Sequence, residues 1–179
     1  MAKKKEEITF YYRNEDDRAY GLAGMAVSLA ALDALDRVVE FSLDADGPMV
    51  SFSNEYYFSG SPSISPKATW DNLIQNFYIT SSMVLSNIMA RVMVRDREQW
   101  PREQIERIHK EMIAEGNESC ALEEDEIDAI YERSLMRMRR IFDNPRVHPA
   151  VSELARVISR KRRLSGREII DELHLLQLI

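Results

Sequence analysis

The residues with the clearest capacity for chemistry are the three histidines, two of which follow a carboxylate at helical spacing. Glu106 precedes His109 and Asp171 precedes His174, while His148 stands alone. Carboxylate–histidine pairs at i and i+3 build di-metal sites in helical bundles, but those sites also need inward-facing glutamates from two further helices. His109 lies among apolar helix positions and Asp171 points away from the apolar face of its helix. We therefore interpret the histidines as surface or partly buried residues and expect no metal site.

The other reactive side chains do not form a catalytic pattern either. Cys120 has no histidine near it in the sequence, and the neighbouring Glu118, Glu123 and Glu124 are expected to raise the pKa of its thiol, which disfavours a nucleophile. No serine lies in a Gly-x-Ser-x-Gly frame. The sequence also lacks the glycine-rich Lys-Ser/Thr loop that binds nucleotide phosphates. It predicts no catalytic residue and no cofactor.

Residues 18–27, RAYGLAGMAV, have the frame of a zinc-peptidase helix without its chemistry. In H-E-x-x-H helices two histidines four residues apart bind zinc, and the glutamate after the first histidine is the general base. The segment resembles the first peptidase helix of FtsH-type AAA+ membrane proteases, which typically runs A-Y-H-E-A-G-H-A. Gly21 stands where the first histidine would be, Leu22 where the glutamate would be, and Met25 where the second histidine would be. The resemblance therefore implies a pseudo-peptidase with three vestigial positions. The matching residues are Ala19, Tyr20, Ala23, Gly24 and Ala26.

Later segments follow the same family order, which favours the resemblance over a helix that merely packs tightly through small residues. Residues 36–43 and 50–58 are rich in β-branched and aromatic side chains and flank an Asp-Gly turn, as in a β-hairpin. Residues 127–173 resemble the closing helices of the peptidase domain. The matching residues there are Tyr131, Glu132, Arg133, Leu154, Ala155, Leu164, Gly166, Glu168, Ile169 and Leu173.

The elements predict a mainly α fold with a small β-hairpin or sheet (α+β), which the resemblance specifies as an FtsH peptidase-like helical fold with an edge strand. We expect a flexible tail over residues 1–13, in which 8–12 could add a short strand, and a single domain over 14–179. Ser165 and Glu168 form a predicted capping box. A loop is expected over 59–66. Helices are expected at 15–35, 70–94, 102–115, 123–142, 149–160 and 165–176.

The second predicted strand carries a candidate binding site. In zinc peptidases of this general type an edge strand lines the cleft and adds a substrate peptide to the sheet, which requires backbone groups rather than catalytic side chains. If 50–58 keeps that position, Tyr56, Tyr57 and Phe58 are candidate apolar contacts for an extended peptide. The alternative interpretation is that these aromatic residues pack under the helix at 70–94.

Charge is distributed unevenly along the chain. Residues 1–132 contain 13 Lys and Arg against 25 Asp and Glu, whereas residues 133–179 contain 11 against 5. A basic cluster of this kind can bind nucleic-acid phosphates. It lacks interleaved aromatic residues and the whole chain is acidic, so we favour contact with the acidic half of the same or a neighbouring chain. The candidate basic patch comprises Arg139, Arg140, Arg160, Lys161, Arg162 and Arg163.

Size and composition favour a soluble domain. A chain of 179 residues can bury one substantial core, and one cysteine fits a reducing compartment. With no secretory signal or membrane-spanning segment recognised, we expect a cytoplasmic protein without a membrane partner. The leading hypothesis is a non-catalytic interaction or regulatory module that binds a partner protein or self-associates into an oligomer. The alternatives are a nucleic-acid-binding accessory protein and a metallohydrolase with relocated ligands.

Overall fold

The computed structural model describes residues 11–57 and 66–179. Within them the fold is mainly helical with a small antiparallel sheet, which confirms the predicted α+β class. A 3-10 turn lies at Leu35–Arg37, and α3 continues into a π-helical segment at Ala90–Arg95. The helices are α1 Glu15–Ala31, α2 Asn54–Tyr57, α3 Pro66–Met89, α4 Arg102–Cys120, α5 Glu124–Phe142, α6 Val147–Lys161 and α7 Gly166–Leu175. The strands are β1 Val38–Ser42, β2 Val50–Phe52 and β3 Arg163–Ser165.

Helix α1 begins and ends where local backbone chemistry requires. Asn14 caps its first turn because the Asn14 side chain accepts a hydrogen bond from the Asp17 backbone N–H at 2.8 Å. The helix ends at Ala31, and Asp33 takes a left-handed conformation with φ of 55°. The predicted extension to residue 35 is wrong, because a residue in that conformation cannot continue a right-handed helix.

Helix α1 packs closely on α3, and glycine allows the contact. A Cβ at Gly24 would overlap the carbonyl oxygen of Ser86 and lie 2.8 Å from the Ala90 Cβ. The main core lies between α1, α3, α6 and the sheet. Helix Trp70–Arg95 is long and apolar enough to cross a membrane, but 83% of its apolar window is buried inside the protein. Burial in a protein core also produces such an apolar helix.

Among the strands of residues 11–57 and 66–179 the sheet has the order β2-β1-β3, so β2 is an edge strand of that sheet. The predicted hairpin is confirmed, with Phe41 paired to Val50. Strand β3, which was not predicted, pairs with β1 through Leu164 opposite Phe41. Its short sequence comes from the basic run, where charge obscures the alternation of a strand. The predicted capping box of α7 is confirmed, since Ser165 and Glu168 each accept a hydrogen bond from the other's backbone.

The predicted strand at 50–58 is wrong over Asn54–Tyr57, which form the short helix α2. The Tyr56 ring is buried and stacks on the Phe52 ring with centroids 4.0 Å apart. In an extended strand these two residues would share a face but lie roughly 13 Å apart, so the contact requires the turn into α2. The Tyr57 side chain, Phe58 and residues 59–65 of the predicted loop lie outside the described part of the chain.

Other boundaries differ by shorter stretches. Helix α3 begins at Pro66 rather than 70, and α4 continues to Cys120 rather than 115. The α4 terminus is set by Ala121, whose φ of 51° is left-handed. Of the predicted tail, residues 1–10 are outside the described ranges. Tyr12 is not in a strand.

Candidate functional site

A cleft of about 720 Å³ lies between α1, α3 and the β1–β2 hairpin. We call it the β2 cleft, because edge strand β2 forms part of its wall. Its apolar wall includes Met25, Phe52, Met83, Val84 and Ile88. Its polar end is lined by Tyr12, Arg18, Asn87 and Arg91. A concave site with apolar walls and a few convergent polar groups is the usual form of a binding site.

The three positions that the sequence analysis aligned with the zinc-peptidase motif have different surroundings. Leu22 is fully buried in the core, whereas half-buried Met25 lines the β2 cleft. A Cβ at Gly21 would lie 2.6 Å from Asn87 Nδ2 and 2.9 Å from Tyr12 Cε1. A histidine at position 21 would therefore have to displace both side chains. Only Met25 of the three is placed at the cleft.

A buried ion-pair cluster supports the polar end of the cleft. The Asp17 carboxylate accepts hydrogen bonds from Arg91 at 2.8 Å, Arg13 at 3.0 Å and Arg95 at 3.2 Å, and Asp17 and Arg91 are both buried. Burial alone raises the pKa of the Asp17 carboxyl, but the hydrogen bonds from Arg91 and Arg13 outweigh it and hold the pKa well below its usual range. Asp17 is therefore ionised and fixed in place at neutral pH.

Residues 11–13, which precede α1, also contact this cluster. The Tyr12 hydroxyl accepts a hydrogen bond from Asn87 Nδ2 at 2.8 Å, and the Tyr12 ring lies 4.8 Å from the Arg91 guanidinium carbon. The Tyr11 carbonyl accepts a hydrogen bond from Arg91 at 3.1 Å. Burial raises the pKa of the Tyr12 hydroxyl despite the opposing effect of its Asn87 hydrogen bond. These three residues of the predicted tail are thus attached to the domain.

Sequence reasoning missed this cluster, although one signal was present. Arg91 is a cation with apolar residues on both sides, between the apolar end of α3 and the run Val92–Val94. A charged residue in such a run predicts a buried partner of opposite sign. The sequence does not show that the partner is Asp17, 74 positions away. A π-helical turn is frequent at functional sites, and this one carries Arg91 and Arg95.

Among the described residues, no group of three His, Cys, Asp or Glu side chains is arranged to hold a metal ion. His109 Nε2 lies 2.6 Å from Asp128, and the His109 ring stacks on Tyr131. His148 and His174 instead lie near backbone carbonyls, at 2.7 and 3.3 Å. Burial, followed by the charge of Glu115, raises the pKa of the Cys120 thiol. The three histidines thus have separate partners and do not share one site.

Both interpretations of Tyr56 have support in the geometry. Its ring is buried and its hydroxyl lies 3.2 Å from Thr80 Oγ1 on α3, so it packs under that helix. It also lines the β2 cleft, although from a helix rather than an edge strand. Of the three predicted peptide contacts, Tyr56 is the residue whose side chain is described.

The candidate basic patch is partly neutralised by acidic residues of the same chain. Lys161 Nζ lies 2.9 Å from Glu172, and Arg162 pairs with Glu15 at 3.0 Å and with Asp44. These contacts are the intramolecular pairing that the charge pattern favoured. The remaining members Arg139, Arg140, Arg160 and Arg163 are exposed and have no carboxylate within 4.0 Å among the described residues.

Comparison with family models, curated proteins and solved structures finds no match for this chain. The relation to FtsH-type peptidase domains therefore stays a prediction from the residues quoted above. The mainly helical fold and the β2 cleft are properties of the chain's own structure.

Proposed function

We propose that this chain is a non-catalytic interaction module, on a scaffold like that of FtsH-type peptidase domains, which holds an extended polypeptide segment in the β2 cleft. The observation that carries the proposal is a largely apolar cleft beside an edge strand. Exposed strand edges bind peptides by β-addition, with pockets selecting alternate side chains. The partner is a second protein or another copy of the same chain.

The order of elements supports the scaffold part of the proposal. An opening helix of small residues, a hairpin and a set of later helices follow each other as the resemblance implies. Met25, at the position of the second histidine, lines the cleft. Architecture alone does not determine activity, so the function is argued from the side chains of the site.

Those side chains favour binding over hydrolysis. Gly21, Leu22 and Met25 offer neither an imidazole nor a carboxylate, and the group that fills the space beside Gly21 is the amide of Asn87. Zinc-dependent hydrolysis requires three protein ligands for the metal, an open coordination position and a general base. Peptide binding by β-addition requires only apolar walls and a strand edge, and the β2 cleft has both. Stoichiometric zinc in the purified protein would instead favour the metallohydrolase with relocated ligands.

A matched pair of variants tests the proposal. Val84 is half-buried in the cleft wall, whereas Val39 is exposed on β1 and outside the cleft lining. Against a fluorescent library of extended peptides, we expect Val84→Arg to weaken binding roughly tenfold or more, because it fills the cleft and charges its wall. Val39→Arg should leave the dissociation constant unchanged. Loss of binding in both variants, or in neither, contradicts the assignment of the cleft.

The β-addition mode has a separate test. Methylating alternate backbone nitrogens of a bound peptide removes the N–H groups that would pair with β2. We expect one of the two alternating methylation patterns to abolish binding and the other to be tolerated, because strand neighbours use alternate backbone groups. Equal tolerance of both patterns would show that the peptide does not pair with the sheet.

Nucleic-acid binding through the basic patch is the weaker alternative, because Lys161 and Arg162 are committed to carboxylates of the same chain. Binding of this kind depends strongly on salt. A mobility shift of duplex DNA that disappears when Arg160, Lys161, Arg162 and Arg163 are replaced by Ala would favour it over peptide binding.

A further inference from the structure

Arg18 places a positive charge in the wall of the β2 cleft. The side chain is half-buried, and its Nε donates to the Met49 sulfur at 3.2 Å while its Nη2 donates to the Ala45 carbonyl oxygen. Both partners belong to the hairpin turn and are uncharged. Among the described carboxylates none lies within 4.0 Å of this guanidinium. A guanidinium has five N–H donors, so these two contacts leave donors available.

The second cation of the cleft has a different environment. Arg91 is buried and its guanidinium lies 2.8 Å from the Asp17 carboxylate, so its charge is compensated within the fold. Asp44, which precedes Ala45 in the hairpin turn, pairs with Arg162. Arg18 is therefore the cation of the cleft that has no described carboxylate within 4.0 Å, although it also interacts with Asp44 at longer range.

We propose that the segment held in the β2 cleft is mainly apolar and carries one acidic side chain, whose carboxylate pairs with Arg18. This inference rests on the proposed function and specifies its ligand. Charge complementarity carries it, because a half-buried guanidinium surrounded by apolar walls and neutral acceptors gains a charge-assisted hydrogen bond only from an incoming anion. A partner that presented a basic side chain there would be rejected by like-charge repulsion.

Asp46 lies on the exposed side of the same cleft and has the opposite effect. Its carboxylate repels an acidic ligand across solvent, where interactions are screened and weak. Arg18 and Asp46 thus provide two variants with opposite expected signs at a single site. Removal of the cation weakens binding of an acidic peptide, and removal of the anion strengthens it.

The probe is a set of fluorescein-labelled peptides of roughly ten residues, the length of a long strand. Each alternates Val and Ser, has acetylated and amidated ends, and carries a single Glu that is moved along the peptide, with a matched Gln peptide for each position. The side-chain carboxylate is then the sole anion of the unlabelled sequence. Dissociation constants are measured by fluorescence anisotropy, with the same label and linker throughout.

We expect one Glu position to bind roughly tenfold tighter than its Gln counterpart, and this preference to weaken at high salt. Arg18→Gln, which keeps a hydrogen-bond donor for the hairpin turn, should remove the preference, and Arg18→Lys should retain part of it. Asp46→Asn should increase the preference for the Glu peptide over its Gln counterpart about twofold. Arg18→Glu should reverse the preference toward a peptide with Lys at the same position.

The outcomes separate this inference from the proposed function. If no peptide of this set and no peptide of the wider library binds, the proposed function is overturned. Equal binding of Glu and Gln peptides at every position overturns the acidic-ligand inference and leaves the cleft assignment standing. A Glu preference that survives in Arg18→Gln also overturns the acidic-ligand inference. Because the reversal in Arg18→Glu requires a folded protein that binds Lys, a merely structural role for Arg18 cannot produce it.

Discussion

Two ion-pair clusters in this protein have similar distances and different surroundings. Asp17 and Arg91 lie 2.8 Å apart and both are almost inaccessible to solvent. Glu15 and Arg162 lie 3.0 Å apart, but their side chains are 58% and 42% exposed. A buried charge that loses its partner is very costly, whereas an exposed pair is worth little because water replaces it. We therefore expect the fold of the cleft to depend on the buried cluster, whereas the exposed cluster neutralises part of a basic surface.

The largest expected effect is that of Asp17→Asn, which leaves Arg91 buried without its carboxylate. We expect the free energy of unfolding in urea to fall by about 3–5 kcal/mol. Asp16→Asn is the matched control, because Asp16 is the neighbouring residue, pairs with Arg95 at 2.6 Å and is 62% exposed. Equal losses in the two variants would remove the distinction between the clusters.

Acid titration gives the next largest effect. Because the folded pKa of Asp17 is held below that of an unfolded aspartate, near 4, its contribution is complete above that value and is lost as the pH falls through the folded pKa. We expect this contribution to wild-type stability to amount to roughly 2 kcal/mol and to be absent from the Asp17→Asn profile. Asp44→Asn, at the exposed cluster, should change the profile much less. Parallel profiles for wild type and Asp17→Asn would contradict the proposed ionisation of Asp17.

A smaller effect is expected at the edge of the buried cluster. Tyr12→Phe keeps the ring over Arg91 but leaves Asn87 Nδ2 without the hydroxyl it donates to. We expect a loss of about 1 kcal/mol in the free energy of unfolding. Tyr20→Phe is the control, since the Tyr20 hydroxyl makes no hydrogen bond to a described residue. If both variants are as stable as wild type, the Tyr12 hydrogen bond does not contribute.

The smallest effect is expected at the exposed cluster. Arg162→Ala removes the pairs with Glu15 and Asp44, and we expect no measurable change in the unfolding midpoint at physiological salt. At low salt, where screening is weak, a small decrease should appear. A decrease as large as that of Asp17→Asn would show that exposure does not decide the value of these pairs.

Local signals predicted most of the helical framework. Ser165 was placed at a helix start because its side chain satisfies a free backbone N–H group, a contact between near neighbours in the chain. The hairpin followed from an Asp-Gly turn between apolar runs. Strand β3 was not predicted, because its pairing with β1 is a long-range contact within a charged sequence. The course of the chain after Phe52 was also missed, because burial of Tyr56 favours a turn over an extended strand.

The candidate site shows the same division. The presence of Gly21, Leu22 and Met25 is a property of the sequence, and it determined that this segment lacks the H-E-x-x-H motif. The tertiary structure decided that Leu22 is core, that Met25 lines a cleft and that Asn87 occupies the space beside Gly21.

The sequence by itself determined the positions of the principal helices, the hairpin and the uneven distribution of charge, because each depends on periodicity, capping or composition over short stretches. Only the tertiary structure decided which charges are neutralised and which remain available. Asp17 and Arg91 meet across 74 residues, whereas Arg18, one position after Asp17, borders the cleft with no described carboxylate within 4.0 Å. The physical reason is that burial and pairing depend on where helices cross, and no local pattern specifies that crossing.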